Sequence, residues 1–168
     1  DGAGAVVLKP CDDPNRGILS VAIGADGDYG DILCMPAGGS RLPATHETVE
    51  QHLHHIHMNG NEIFKVAVRG MEQILREAMR RAGVDQNGID LLVPHQANLR
   101  IIDAMARRLE MPPGKVVINI DRYGNTSSAS IPIGLDEAVR AGRIHRGDTI
   151  AMVTFGGGLT WGAAVMRW

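Results

Sequence analysis

The stretch Asp90-Leu91-Leu92-Val93-Pro94-His95-Gln96-Ala97-Asn98 passes from an apolar run to a cluster of polar side chains within a few positions. Asp90 to Val93 reads as a short buried strand. A helix follows from about Asn98 to Leu109, with Ile102, Met105 and Leu109 on one face. A strand that hands over to a helix in this way belongs to a sheet with helices on its faces, and its carboxyl end is where such sheets carry chemistry.

Working outward, Asn61 to Ala82 places Phe64, Ala67, Met71, Ile74, Ala78 and Ala82 three or four apart, which predicts an amphipathic helix stopped by Gly83. Gly17 to Ala25 is strand-like, and Asp31 to Met35 is a second short candidate across a Gly27-Asp28 turn. Val116 to Ile120 reads as a strand and Thr126 to Ala141 as a helix stopped by Gly142. Thr149 to Phe155 and Thr160 to Met166 form a closing hairpin around Gly156-Gly157-Gly158. The expected architecture is α/β: one domain over residues 1–168, with a mixed five-stranded sheet and helices on both faces. The opening Asp1 to Leu8 runs into an apolar strand pattern with no start signal, so the chain is expected to be the C-terminal portion of a longer protein.

The composition is that of a soluble globular domain: 17 Lys+Arg against 19 Asp+Glu, 44% hydrophobic and 21% charged. Scattered basic residues and few aromatics argue against a nucleic-acid surface, and no long uncharged apolar run suggests a membrane span. The two cysteines, Cys11 and Cys34, make no disulfide framework and fit a cytoplasmic setting. Glycine is the outlier, with 21 in 168 residues, about twice the usual share. Many backbone positions therefore need close approach or positive φ.

Three junctions invite chemistry: Val93 to Asn98, Tyr123 to Ser128, and Phe155 to Gly158. Each has an ordinary explanation, as a polar turn, a helix cap or a tight hairpin. Parallel neighbouring strands would bring all three to one edge. There an imidazole N–H and a carboxamide N–H can converge on one oxygen, beside a backbone N–H. Such neutral donors suit a thioester carbonyl that becomes an enolate, since they stabilise the charge without quenching it.

His95-Gln96-Ala97-Asn98, Tyr123-Gly124-Asn125-Thr126-Ser127 and Phe155-Gly156-Gly157-Gly158-Leu159-Thr160-Trp161-Gly162 together closely resemble the C-terminal half of the β-ketoacyl-acyl-carrier-protein synthase III family. Asp1 to Ala5 and Met58 to Lys65 match further segments in order. The resemblance implies a thiolase-like half. It matches His95 and Asn125 to the pair that holds the malonyl thioester carbonyl during decarboxylation, and Gly157 to an oxyanion-hole glycine. Gly60, Asn61, Phe64, Ala97 and Asn98 match positions lining the pantetheine tunnel. Lys65, Arg100, Arg107 and Arg108 match a carrier-protein docking patch, although Arg107 and Arg108 also complement a helix C-terminus.

By the same resemblance the substrates are acyl-CoA and malonyl-acyl carrier protein, with no cofactor and no metal. The expected partners are the protein's own N-terminal half and a second copy, in a homodimer. The family's nucleophilic cysteine lies in the other half, and Cys11 and Cys34 read as structural, so this chain alone is expected to form no acyl-enzyme. Two alternatives stay open: a related type III polyketide-forming condensing enzyme, and a non-catalytic thiolase-like half for dimerisation or carrier binding. His46 and the run His52-Leu53-His54-His55-Ile56-His57 read as a solvated or interface segment rather than a metal site. Ser127 and Ser128 have no adjacent base to activate them as nucleophiles.

Overall fold

The computed structural model describes residues 1–168. In chain order the elements are β1 (Gly17–Ala25), β2 (Leu33–Cys34), α1 (His46–Glu50), β3 (His57–Met58) and α2 (Gly60–Ala82). They continue with β4 (Leu91–Pro94), α3 (Leu99–Arg108), α4 (Ile120–Tyr123), α5 (Ser130–Arg140), β5 (Thr149–Gly156) and β6 (Thr160–Arg167). The main sheet has the order β1-β6-β5-β4, with β4 and β5 parallel and the other neighbours antiparallel. Its carboxyl edge therefore gathers the ends of β1, β4 and β5 and the β5–β6 turn.

Helices cover both faces, as expected. Residues alternate along β5, so Ala151, Val153 and Phe155 join the larger core with α2 and α3, while Ile150 faces the smaller core around α5. Helix α2 buries Ile63, Ala67, Val68, Met71, Ile74, Leu75, Ala78 and Met79 along one stripe. It starts on the Asn59 cap and ends on Gly83, whose φ of 69° is the left-handed conformation that closes helices. A bulge in β1 between Ile18 and Ser20 turns Leu19 to the core and lets the Ser20 hydroxyl donate to the Ala78 carbonyl of α2 at 2.7 Å.

Helices α2 and α3 lie side by side and run in the same direction. At their N-terminal ends the Arg100 guanidinium sits 5.7 Å from the Phe64 ring centroid; further along, Arg108 pairs with Glu72 at 2.6 Å. Both helix N-termini thus open at the sheet edge where β4 ends.

Four sequence expectations need correction. The sheet has four strands, because Val116 to Ile120 makes only one parallel bridge, Val116 to Leu92. Beyond it the Gln96 side chain takes the place of a neighbouring strand: Nε2 donates to the Val117 carbonyl and Oε1 accepts the Asn119 N–H, each at 3.0 Å. Asp31 to Met35 pairs only over Leu33–Cys34, and with β3 rather than β1, because Gly27–Ile32 coils into a 3-10 turn capped by Asp26. The opening residues form no strand. Gly2 and Gly4 pass close to Thr126 and Pro132 at the start of α5, where a Cβ would clash, and Val7 stays 93% exposed. Finally, the helix expected from Thr126 begins at Ser130, since Ser127 is left-handed (φ 53°) and residues 127–129 form a separate 3-10 turn.

Candidate active site

His95 is the first residue past β4. Its backbone N–H still donates to Val153 at 2.8 Å, so the strand ladder fixes its Cα, and its side chain turns inward to 8% exposure. The ring packs edge-on against Phe155 of β5, with centroids 5.9 Å apart. Nδ1 lies 2.7 Å from the Ser130 hydroxyl. Burial lowers the pKa of His95 from its ordinary 6.5, and the Ser127 carbonyl beside the ring partly opposes that shift. Burial thus favours the neutral imidazole.

Ser130 opens α5 and is 2% exposed. Its Oγ accepts the Gln96 N–H at 3.2 Å and lies 2.8 Å from the Ser127 carbonyl. Ser127 in turn donates its N–H to Asn125 Oδ1 at 2.9 Å. One turn, residues 125–130, thus touches both expected carbonyl holders. With Oδ1 occupied, the Asn125 amide presents Nδ2 as its free, donating end, exposed at the surface of the turn. Gly124, at φ 68°, supplies the backbone reversal that delivers Asn125 there.

The segment leading to Asn125 is held from behind. Glu137 of α5 accepts from Asn119 Nδ2 (2.6 Å) and the Tyr123 hydroxyl (2.8 Å), and pairs with Arg122 at 2.7 Å. Burial opposes ionisation of Glu137, but these three partners outweigh it and leave the pKa below the usual carboxylate value. The same contact raises the Tyr123 pKa. Gln96, 1% exposed, ties this segment to the His95 turn through its bonds to Pro94, Val117 and Asn119.

Gly157 lies in the exposed β5–β6 turn, two residues from the Phe155 ring that touches His95. Its N–H has no acceptor within the chain. A Cβ there would sit 3.3 Å from the Leu33 carbonyl, so the close approach of two backbones favours glycine.

The expected tunnel residues fall at the two helix N-termini. Gly60 and Asn61 are in the first turn of α2, and Phe64 lies one turn on beneath Arg100. Asn98 caps α3 by accepting the Arg100 N–H at 2.9 Å, and Ala97 donates its N–H to the His95 carbonyl at 3.0 Å. Of the four expected docking residues, Lys65 lines an open cavity with Glu62, Arg69 and Trp161, and Arg100 stacks on Phe64. Arg107 is in the last turn of α3 with no ionic partner, whereas Arg108 is committed to Glu72, whose pKa falls chiefly through that bond. Arg108 is thereby less available to a partner than the other three.

Cys11 is exposed and Cys34 is half-buried, its Sγ 3.7 Å from the Asp31 carbonyl. The histidine run is split among separate contacts: His54 bonds the Thr48 hydroxyl at 2.9 Å and His57 approaches the His52 carbonyl at 3.4 Å. No helix is long and apolar enough to cross a membrane.

Sequence reasoning missed Ser130, Glu137 and the structural reach of Gln96. Gln96 carries one sign, a long polar side chain directly after a fully apolar strand. Ser130 and Glu137 sit in an ordinary amphipathic helix pattern and carry none.

The family model for the 3-oxoacyl-[acyl-carrier-protein (ACP)] synthase III C terminal matches residues 79–168. The beta-ketoacyl-[acyl-carrier-protein] synthase III of Roseiflexus sp. (strain RS-1) is 56% identical over all 168 residues, which correspond to 51% of that protein. The namesake protein of Symbiobacterium thermophilum is also 56% identical, with 51% of its length covered. Among solved structures, the Thermus thermophilus synthase III superposes with a TM-score of 0.84 at 47% identity, covering 96% of this chain and 49% of that one. These matches bear out the α/β, thiolase-like reading of the fold. The chain spans about half the length of the curated relatives it matches. With its C-terminal portion matched by the family model and its whole length by these relatives, the chain belongs to the 3-oxoacyl-[acyl-carrier-protein] synthase III family.

Proposed function

We propose that this chain supplies the decarboxylation site of a condensing enzyme that joins an acyl-CoA primer to malonyl-acyl carrier protein and releases a 3-ketoacyl thioester, the first step of fatty-acid synthesis. The observation that carries this reading is a buried His95 joined through Ser130 and Ser127 to Asn125, whose amide leaves Nδ2 free. His95 Nε2 and Asn125 Nδ2 donate to the malonyl thioester oxygen. The bond between the α-carbon and the carboxylate breaks, carbon dioxide leaves, and the electron pair moves into the enolate whose oxygen the two donors hold. The enolate carbon then attacks the acyl thioester, the Gly157 N–H steadies the oxyanion that forms, and its collapse breaks the carbon–sulfur bond, expels the enzyme's cysteine thiolate and leaves the 3-ketoacyl thioester.

The acyl group sits on a cysteine contributed by the portion of the synthase that this chain does not span. The thioesters enter along Gly60, Asn61, Phe64, Ala97 and Asn98, and the carrier docks on Lys65, Arg100 and Arg107. The reading requires no cofactor, and by resemblance to the family it implies a homodimeric cytoplasmic enzyme.

The test is a chimera in which this chain replaces the matching segment of the Thermus thermophilus synthase. His95→Ala and Asn125→Ala should each cut malonyl decarboxylation by about 100- to 1000-fold, the usual cost of one oxyanion donor, and leave acyl transfer from CoA intact. Wild-type decarboxylation in either variant overturns the proposal.

A further inference from the structure

Only one proton is available to two acceptors around Ser130. Its Oγ takes the Gln96 N–H at 3.2 Å, and the remaining hydroxyl proton faces both His95 Nδ1 at 2.7 Å and the Ser127 carbonyl at 2.8 Å. All three groups are fixed: Ser130 is 2% exposed and His95 8%, and the Ser127 carbonyl is oriented by a left-handed residue. If the hydroxyl proton goes to Nδ1, a neutral imidazole must carry its own proton on Nε2, the ring nitrogen away from Ser130. If it goes to the Ser127 carbonyl, Nδ1 keeps the proton and donates it to Oγ, and Nε2 becomes a bare lone pair. The two states differ in whether Nε2 donates or accepts.

Resting on the functional reading above, we infer that Ser130 is a positioning residue that donates its hydroxyl proton to His95 Nδ1 and so fixes the Nε2–H tautomer that faces the substrate oxygen. The thioester oxygen biases the same choice, since only the Nε2–H form can donate to it. Without Ser130, the Ser127 carbonyl beside the ring becomes the acceptor for an Nδ1 proton, and the ring moves to the wrong tautomer. The other tautomer turns a lone pair, instead of a donor, towards the enolate oxygen and repels the charge that develops there.

The test uses the chimera with 15N-labelled histidine, the His95 signals being identified by their loss in His95→Ala. The wild type should show the Nε2–H pattern of ring-nitrogen shifts. Ser130→Ala should move His95 towards the Nδ1–H pattern and lower kcat for malonyl decarboxylation about 10- to 100-fold. KM for the carrier substrate and acyl transfer from CoA should be unchanged. Ser130→Cys, which keeps the volume and a weak donor, should recover part of both the rate and the tautomer signal. Ser130→Ala that retains the Nε2–H pattern and a rate within twofold of wild type overturns the inference while leaving the functional reading standing. His95→Ala at the wild-type rate overturns the functional reading instead, and the tautomer signal of Ser130→Ala then still decides whether Ser130 sets the ring proton.

Discussion

The Gln96 side-chain oxygen accepts the backbone N–H of Asn119 at 3.0 Å, and this one contact couples the turn that carries His95 to the segment that delivers Asn125. The same side chain donates to the Pro94 and Val117 carbonyls, so a glutamine does locally what a fifth strand would otherwise do. Replacing it with alanine leaves one N–H and two carbonyls without partners in a buried site. Gln96→Ala should destabilise the protein by about 2–4 kcal/mol, read as a lower urea midpoint at unchanged slope. A change under about 0.5 kcal/mol would show that water or neighbouring groups take over all three bonds.

How far the sequence discloses this arrangement follows from the length of each signal. Helix α2 is legible because its apolar period persists over many turns, and β5 and β6 because they alternate around a glycine turn. Val116 to Ile120 misleads because its apolar composition is that of a strand, while the group that satisfies its backbone is a side chain from another segment, which no local pattern encodes. His95, Asn125 and Gly157 are legible as a set of motifs, yet the atoms that orient two of them, Ser130 Oγ and the Ser127 N–H, belong to a turn that reads in sequence as the first part of a helix.

Acid should weaken the fold partly through His95. Its folded pKa is lowered by burial below the ordinary 6.5, so below that pH the unfolded chain binds a proton that the native state refuses. The stability held above pH 6.5 is therefore lost progressively as pH falls towards the folded value. Unfolding curves collected across pH 5–8 should show stability rising with pH in the wild type and a shallower rise in His95→Gln. Identical slopes would contradict the burial assignment.

Glu137 acts in a lower window. Although burial disfavours its charge, the bonds from Asn119 and Tyr123 and the Arg122 charge keep its folded pKa below 4.5. Its contribution is complete above that value and fades as pH falls through the folded pKa. Glu137→Gln should flatten the stability profile below about pH 4.5. It should also lower decarboxylation at neutral pH by loosening the segment before Asn125, with acyl transfer from CoA spared. Equal losses in both half-reactions would indicate a general folding defect instead.

The basic residues of α3 divide by their partners. Arg100 and Arg107 have no carboxylate, whereas Arg108 is paired with Glu72. Neutralising Arg100 and Arg107 together should raise KM for the carrier substrate severalfold, more so at low salt, with the CoA half-reaction unaltered. Arg108→Ala should change carrier KM less and cost only about 0–1 kcal/mol of stability, as an exposed ion pair does. If both half-reactions suffer alike, the docking assignment fails.

A crystal structure of the chimera with a non-reactive malonyl thioester analogue tests the shared-oxygen site most directly. The expected complex has one carbonyl oxygen within about 3.2 Å of both His95 Nε2 and Asn125 Nδ2. An analogue bound with its carbonyl beyond hydrogen-bonding distance of either nitrogen, or with the two side chains holding different groups, would contradict it.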